Sequence, residues 1–385
     1  MKISNDILYI GVNDREIDLF EGQYIVENGM SYNSYVIMDS EIAVMDTVDK
    51  NFGEEWLYNI KNAVGDRTPS YLVVQHMEPD HSANIDKFMD MYPNAKIVCT
   101  SKAITMVNQF FGTDYAQRQI VVGDGDALNL GSHELVFVTA PMVHWPEVML
   151  SYDKTSKTLF SADAFGKFGT WDTDEEWACE ARRYYFGIVG KYGTQVQNLL
   201  KKLSGSFVST ICPLHGPVLS ENLDYYINLY DIWSSYRPEA EGVTIAYTSV
   251  YGNTANAVEH LEMELKKLGC NEISVFDLAR CDMAEAVEDA FKFSKLVLAT
   301  TTYNGGIFPF MHEFIHHLTE RNYQNRIIGI IENGSWAPTA AKTIKTMFEK
   351  SKNISVAEPS VTIMSALNEK NREEIHELAK VLMEV

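Results

Sequence analysis

Two rhythms of apolar and polar positions divide the chain. Before Ser234, short apolar runs of strand length recur: Glu41–Val48, Tyr71–Gln75, Lys96–Thr100, Gln119–Val122, Glu134–Ala140, Thr158–Ser161 and Phe207–Ile211. Several of them alternate apolar with polar residues, as strands with one buried face do. Helical stretches such as Tyr192–Leu203 lie between or after them. The pattern predicts two sheets packed together with helices outside, an α+β sandwich.

Beyond Gly242 the rhythm changes to strict strand–helix alternation. Strands are expected at Val243–Tyr247, Ile273–Leu278, Leu296–Thr300 and Ile327–Ile331. Helices are expected at Thr254–Leu268, Asp282–Phe293, Phe310–Thr319 and Thr339–Lys350. Such βαβ repetition predicts a doubly wound parallel sheet of about five strands. The polar stretch Ser234–Gly242, with Pro238 inside it, reads as the linker. It sets the expected domains at 1–240 and 243–385.

Composition narrows the function classes. A length of 385 residues is too great for one ordinary core. No apolar run approaches the roughly 18–20 residues of a membrane span. The formal charge of −21 argues against nucleic acid or an anionic membrane as the main partner. The start, MKISNDILYI, lacks the apolar region and cleavage site of a signal peptide, so a cytoplasmic location is expected. Cys99, Cys179, Cys212, Cys270 and Cys281 are scattered without a CxxC pair. They read as reduced thiols, mostly buried, rather than iron–sulfur or zinc-ribbon ligands.

The chemistry begins at QHMEPDHS, residues 75–82, directly after an apolar run. His76, Glu78, Asp80 and His81 crowd metal-binding groups at a strand end. Three more candidates lie just past strands: His144 in TAPMVHWPE, Asp163 in LFSADAFG and His215 in ICPLHGP. Seven ligands suffice for two ions if one carboxylate bridges them. Order and spacing resemble the metallo-β-lactamase superfamily signature, HxHxDH followed by a distant His, Asp and His. Glu78 stands where that signature has its second histidine. Three carboxylates make a harder, more anionic set, which favours iron or manganese over zinc.

The second region opens with VTIAYTSVYGNTANAVEHL, a strand, a polar loop and a helix. Thr248, Ser249, Val250, Tyr251, Gly252, Asn253 and Thr254 surround a helix N-terminus with hydroxyls and backbone N–H groups, an anion site without lysine. It lacks the GK[ST] of a nucleotide-hydrolysing loop and the GxGxxG of a dinucleotide fold. It resembles the loop that holds the FMN phosphate in flavodoxins. Two further strand ends suit a flavin ring: Thr301, Thr302, Tyr303, Asn304, Gly305 and Gly306, then Asn333, Gly334, Ser335 and Trp336. HEFIH at 312–316 matches the zinc-protease motif, but it falls on a helix needed to cover the sheet.

Taken together, a lactamase-like αββα sandwich with a glutamate-substituted dimetal signature, followed by an α/β flavodoxin-like domain, resembles the flavodiiron (A-type flavoprotein) family. Glu180–Gly193, EARRYYFGIVGKYG, also looks like a stretch of that family. The chain resembles the class without appended rubredoxin or flavin reductase modules. The resemblance implies one iron on His76, Glu78 and His144, another on Asp80, His81 and His215, and Asp163 bridging. His81 is the ligand swung away in some members, and the Asp163–Glu180 connection is shorter than usual. The resemblance further implies FMN, a donor such as rubredoxin or a reduced deazaflavin, and reduction of O2 to water or NO to N2O. It also implies a head-to-tail homodimer or dimer of dimers. Tyr184 or Tyr185 is a candidate hydrogen-bond donor beside the metals. The alternatives are a dizinc lactonase or thioesterase fused to a flavodoxin domain, and a pure electron carrier with a structural metal site.

Overall fold

The computed structural model describes residues 2–384. Two compact units divide them: residues 1–185 with 194–231, and residues 186–193 with 232–385. The second unit thus takes in a short segment, Phe186–Gly193, from the middle of the sequence that builds the first.

The first unit is a two-sheet sandwich. One sheet runs in chain order through β1 (Ile7–Tyr9), β2 (Tyr35–Ile37), β3 (Ala43–Met45), β4 (Tyr71–Val73), β5 (Lys96–Cys99) and β6 (Gln119–Val121). The other runs through β7 (Ala127–Asn129), β8 (Glu134–Thr139), β9 (Met149–Asp153), β10 (Thr158–Phe160) and β11 (Thr210–Cys212). Tyr35 of β2 meets Phe160 of β10 at 5.6 Å between ring centroids, which places the shared core between the sheets. Helix α1 (Gly53–Val64) buries Trp56, Ile60 and Val64, spaced by four, and keeps its charges outside. Each such side chain contributes about 1.5–3 kcal/mol of burial. Four further helices matter below: α2 (Ser101–Phe111), α3 (Trp177–Tyr184), α4 (Gly193–Leu203) and α5 (Leu223–Ser234).

Several expectations shift. The run Phe207–Ile211 becomes a strand only at Thr210–Cys212, and Phe207 is exposed. Two small hairpins, Val12–Asp14 with Met30–Tyr32 and Leu19–Phe20 with Tyr24–Ile25, had no sequence counterpart. Of the five cysteines, all free, Cys99 and Cys212 are buried and the other three are half-buried.

The second unit is a parallel sheet in the order β13 (Ile273–Asp277), β12 (Ala240–Tyr247), β14 (Phe293–Tyr303), β15 (Arg326–Asn333). Its last edge is split: β16 (Ile354–Val356) pairs with the start of β15 and β17 (Val361–Ile363) with its end. Helices α6 (Asn253–Lys267), α7 (Met283–Lys292), α8 (Pro309–Glu320), α9 (Ala340–Met347) and α10 (Glu369–Glu384) follow. β12 begins inside the stretch expected to be linker. The split edge and α10 went unrecognised in the sequence. Phe186 stacks on Phe291 at 3.9 Å, and Arg321 Nε donates to the Phe186 carbonyl. Among the described residues no helix is long and apolar enough to cross a membrane.

Candidate metal centre and flavin site

Every metal-ligand candidate lies in a connection that follows a strand, with Asp80 and His81 on the one-turn helix Pro79–Ser82. His76, Glu78, Asp80 and His81 follow β4, His144 follows β8, Asp163 follows β10 and His215 follows β11. Their side chains converge in two groups, His76–Glu78–His144–Asp163 and Asp80–His81–His215, within each of which ligand atoms lie inside 4.8 Å of one another. Asp163 joins the groups. Its Oδ2 lies 3.3 Å from His76 Nε2 and 3.2 Å from His144 Nε2. Its Oδ1 lies 3.3 Å from His81 Nε2 and 3.8 Å from His215 Nε2. Glu78 Oε2 completes the first set, 3.0 Å from His144 Nε2. Asp80 Oδ2 completes the second, 3.2 Å from His81 and 3.3 Å from His215. His81 points inward with the rest, its Nε2 3.0 Å from that of His215.

The protein leaves this cluster electrically unfinished. Asp163 is 1% exposed, yet neither of its oxygens has a hydrogen bond, and neither has one in Asp80. His215 Nδ1 is 2.7 Å from the Ser31 carbonyl, which only accepts, so Nδ1 carries the proton. In the neutral ring Nε2 then aims a lone pair into the cluster. His76 is held the same way by the Glu147 carboxylate, 2.8 Å from Nδ1. Burial pulls His144 down, but Asp163 and Glu78 outweigh it and push the imidazole up to about 9. Burial likewise opposes the charged form of Asp163, and His76 and His144 still hold it well below the usual carboxylate range. A field that draws protons onto buried imidazoles equally favours divalent cations. Ligand atoms about 3 Å apart also suit metal bonds of about 2.0–2.2 Å. The donor set therefore fits two metal ions, and its oxygen content fits iron.

Supporting groups were not legible in the sequence. Glu147 also accepts from Met77 N at 2.9 Å, so one carboxylate fixes both the ring and the backbone of the first cluster. Asp46, on the turn after β3, accepts from Gln75 N at 2.7 Å and Gln75 Nε2 at 2.8 Å. Glu21, at a hairpin tip, reaches Glu78; partial desolvation and then the Glu78 charge push it up to about 7. Gly216, at φ +77°, has its N–H on Ser31 Oγ, and a Cβ there would meet Lys167 Cγ at 2.7 Å. A WPE triplet beside His144 was the one available hint of Glu147. Tyr184 is buried with its ring 5.5 Å from that of His215, whereas Tyr185 packs on Tyr230 at 5.2 Å. Burial, then the charges of Asp163, Glu78 and Asp80, hold the Tyr184 hydroxyl well above its usual range, so it stays a donor.

In the second unit the loops after β12, β14 and β15 enclose a cavity of about 590 Å³. All three expected loops line it, and Ala337, Thr339 and Ser365 join them unforeseen. Thr248, Gly252 and Gly306 do not; the buried Thr248 hydroxyl pairs with Thr300 Oγ1 at 2.7 Å. Gly252, at φ +90°, turns the chain into α6, and its N–H donates to Ser249 Oγ at 3.1 Å. Gly306 pairs with Tyr303 in a short ribbon. Thr254 Oγ1 and Thr301 Oγ1 are buried without a hydrogen bond. A hydroxyl awaiting an acceptor at a helix N-terminus, that of Thr254 on α6, fits a phosphate monoester. Tyr251 and Trp336 stand 92% and 80% exposed at the rim. On α8, His316 faces solvent 3.4 Å from Glu320 rather than sharing a cluster with His312.

Comparison with known proteins agrees in order and extent. Residues 30–216 match a family described as ODP family beta lactamase, and residues 244–382 match a flavodoxin domain. An uncharacterized protein of Methanocaldococcus jannaschii is 26% identical, with 100% of this chain and 98% of that protein covered. The anaerobic nitric oxide reductase flavorubredoxin of Salmonella arizonae is 27% identical over 90% of this chain and 74% of its own length. Among solved structures, rubredoxin oxygen:oxidoreductase from Desulfovibrio gigas superposes with a TM-score of 0.92 at 22% identity, covering 100% and 98% of the two chains. The flavodiiron protein of Giardia intestinalis gives 0.88 at 23% identity, covering 100% and 96%. At such identities the structural likeness carries the fold.

Proposed function

We propose that the chain is a flavodiiron protein, an oxidoreductase that reduces O2, NO or both. The observation that carries the reading is Asp163, whose two unbonded oxygens each face a pair of imidazoles in a chain that also carries a hydroxyl-lined flavodoxin cavity. One iron is assigned to His76, Glu78 and His144, the other to Asp80, His81 and His215, with Asp163 between them. FMN is assigned to the three strand-end loops over Ser249–Thr254, Thr301–Gly306 and Asn333–Trp336. The metal domain is taken as 1–240 and the flavin domain as 243–385. When bound, FMN supplies electrons singly and the iron pair supplies a redox-active Lewis-acidic site for the diatomic substrate.

The chain's own residues do the rest. Glu147 and the Ser31 carbonyl fix the tautomers of His76 and His215, which keeps both Nε2 lone pairs aimed inward. Phe20 and Tyr32 stand edge-on to the His215 ring at 5.4 and 6.0 Å and keep water from that side. Tyr184 holds a proton at its hydroxyl beside three carboxylates, a donor for developing charge on substrate oxygen. Thr254 and Thr301 offer O–H groups to the flavin phosphate and its neighbours. A protein electron donor and a head-to-tail homodimer complete the proposal.

The test is steady-state consumption of O2 and NO by iron- and FMN-loaded protein with a reduced donor. Multiple turnovers of at least one gas are expected. Zinc in place of iron together with ester hydrolysis would instead support a lactonase or thioesterase.

A further inference from the structure

A second cavity lies in the first unit, on the helix-covered side of the β7–β11 sheet. It measures about 300 Å³ and is walled by Leu159, Ile211, Phe165, Leu200, Leu203 and Ile227. Exposure gives it a direction. Ser204, Ser206, Phe207, Asp224 and Ile227 are exposed, with Phe207 at 74%, whereas Leu159 and Ile211 are 1% and Phe165 2% exposed. A polar rim thus opens inward onto wholly apolar walls.

The inner end adjoins the metal cluster along the chain. Leu159 and Ile211 are paired neighbours on β10 and β11, the strands that run directly into Asp163 and His215. Phe165 is two residues from Asp163, fixed at φ +66°, with its N–H on the Tyr230 hydroxyl at 2.6 Å and its ring 4.2 Å from that of Tyr230. Gly166 N bonds back to the Asp163 carbonyl at 3.0 Å, so the Phe165 ring and the bridging carboxylate share one tight turn.

We propose that this cavity takes up a small apolar gas, O2 or NO, and delivers it past Phe165 to the Asp163 loop. This deepens the functional reading above and rests on it. The physical ground is the lining. An apolar cavity of about 150 Å³ already stays dry and binds xenon. O2 and NO are uncharged, weakly hydrated and far smaller than the space, so hydrocarbon walls concentrate them. Water finds no hydrogen-bond partner among those side chains.

Xenon-pressurised crystals of the loaded protein test the site, and gas kinetics test the route. Xenon is expected between Leu159 and Leu203. Leu203→Trp should abolish it and raise KM for O2 and NO severalfold, with kcat, iron and FMN unchanged. Phe207→Trp, at the exposed mouth and harmless to folding, should act in the same direction more weakly, which covers a failure of Leu203→Trp to fold. An empty cavity under xenon, or a long-chain acid there in its place, overturns the proposal. So does a filled Leu203→Trp cavity with unaltered KM. If loaded wild type binds xenon but turns over neither gas, the functional reading fails and the route with it. Turnover at wild-type KM by the filled variants counts against the cavity alone.

Discussion

In the N-terminal unit the site is made of buried side chains: His76, His81, Asp163 and His215 are each at most 1% exposed, and the backbone serves only to aim them. In the C-terminal unit the site is an open pocket between strand ends, with a helix N-terminus, two orphaned threonine hydroxyls and rim aromatics more than three-quarters exposed. Metal ions need specific donor atoms at fixed distances, so residue identity dominates the first site. A phosphate ester needs many modest donors around a helix end, so loop shape dominates the second. The first should therefore fail abruptly on single substitutions and the second gradually.

The largest effect is expected from Asp163→Asn, which removes the charge that both imidazole pairs share. Iron affinity should fall by more than the roughly 100-fold typical of a supporting residue, with turnover lost and flavin absorbance intact. Retention of both irons, measured by elemental analysis, would remove Asp163 from the bridge. Glu147→Gln comes next: a weakening of iron binding by about 10–100-fold, because His76 loses the partner that sets its tautomer. Unchanged iron titrations would make Glu147 a packing residue only. Thr254→Ala should weaken FMN binding by roughly 10–150-fold, as one hydrogen bond to a charged group is worth about 1.5–3 kcal/mol. Fluorescence titration of apoprotein reads it, and iron content should not move. The smallest effect is that of Trp336→Ala on flavin-free protein, within about 0.5 kcal/mol in urea unfolding, since its ring has nothing to leave. A larger loss would show that the rim is packed rather than open.

The contrast also explains what could be read from the sequence. All seven expected ligands converge because donor chemistry is written in residue type and each stands just after an apolar run. Glu147, Asp46 and Ser31 escaped, since their roles arise only when loops distant in sequence meet. The alternating flavodoxin-like half was legible nearly to its end. β16 and β17 were not, because three-residue strands flanked by Pro359 carry too little periodicity. The strands before Glu41 were missed for a related reason. β2 is buried throughout, so it shows no alternation, whereas β3 was found within the expected run Glu41–Val48. Phe207, apolar yet exposed, drew the expected strand three residues too early.

The segment Phe186–Gly193 has a consequence for any attempt to divide the chain. The backbone passes between the two units at three places, so a single cut near residue 240 does not release an intact C-terminal half. A fragment from residue 243 onward leaves Phe291 without its stacked neighbour and Arg321 without the Phe186 carbonyl. Such a piece carries a raw apolar scar where the longer chain has a finished surface. Its behaviour is expected to be that of a sticky, loosened flavodoxin-like domain until residues 186–193 are supplied.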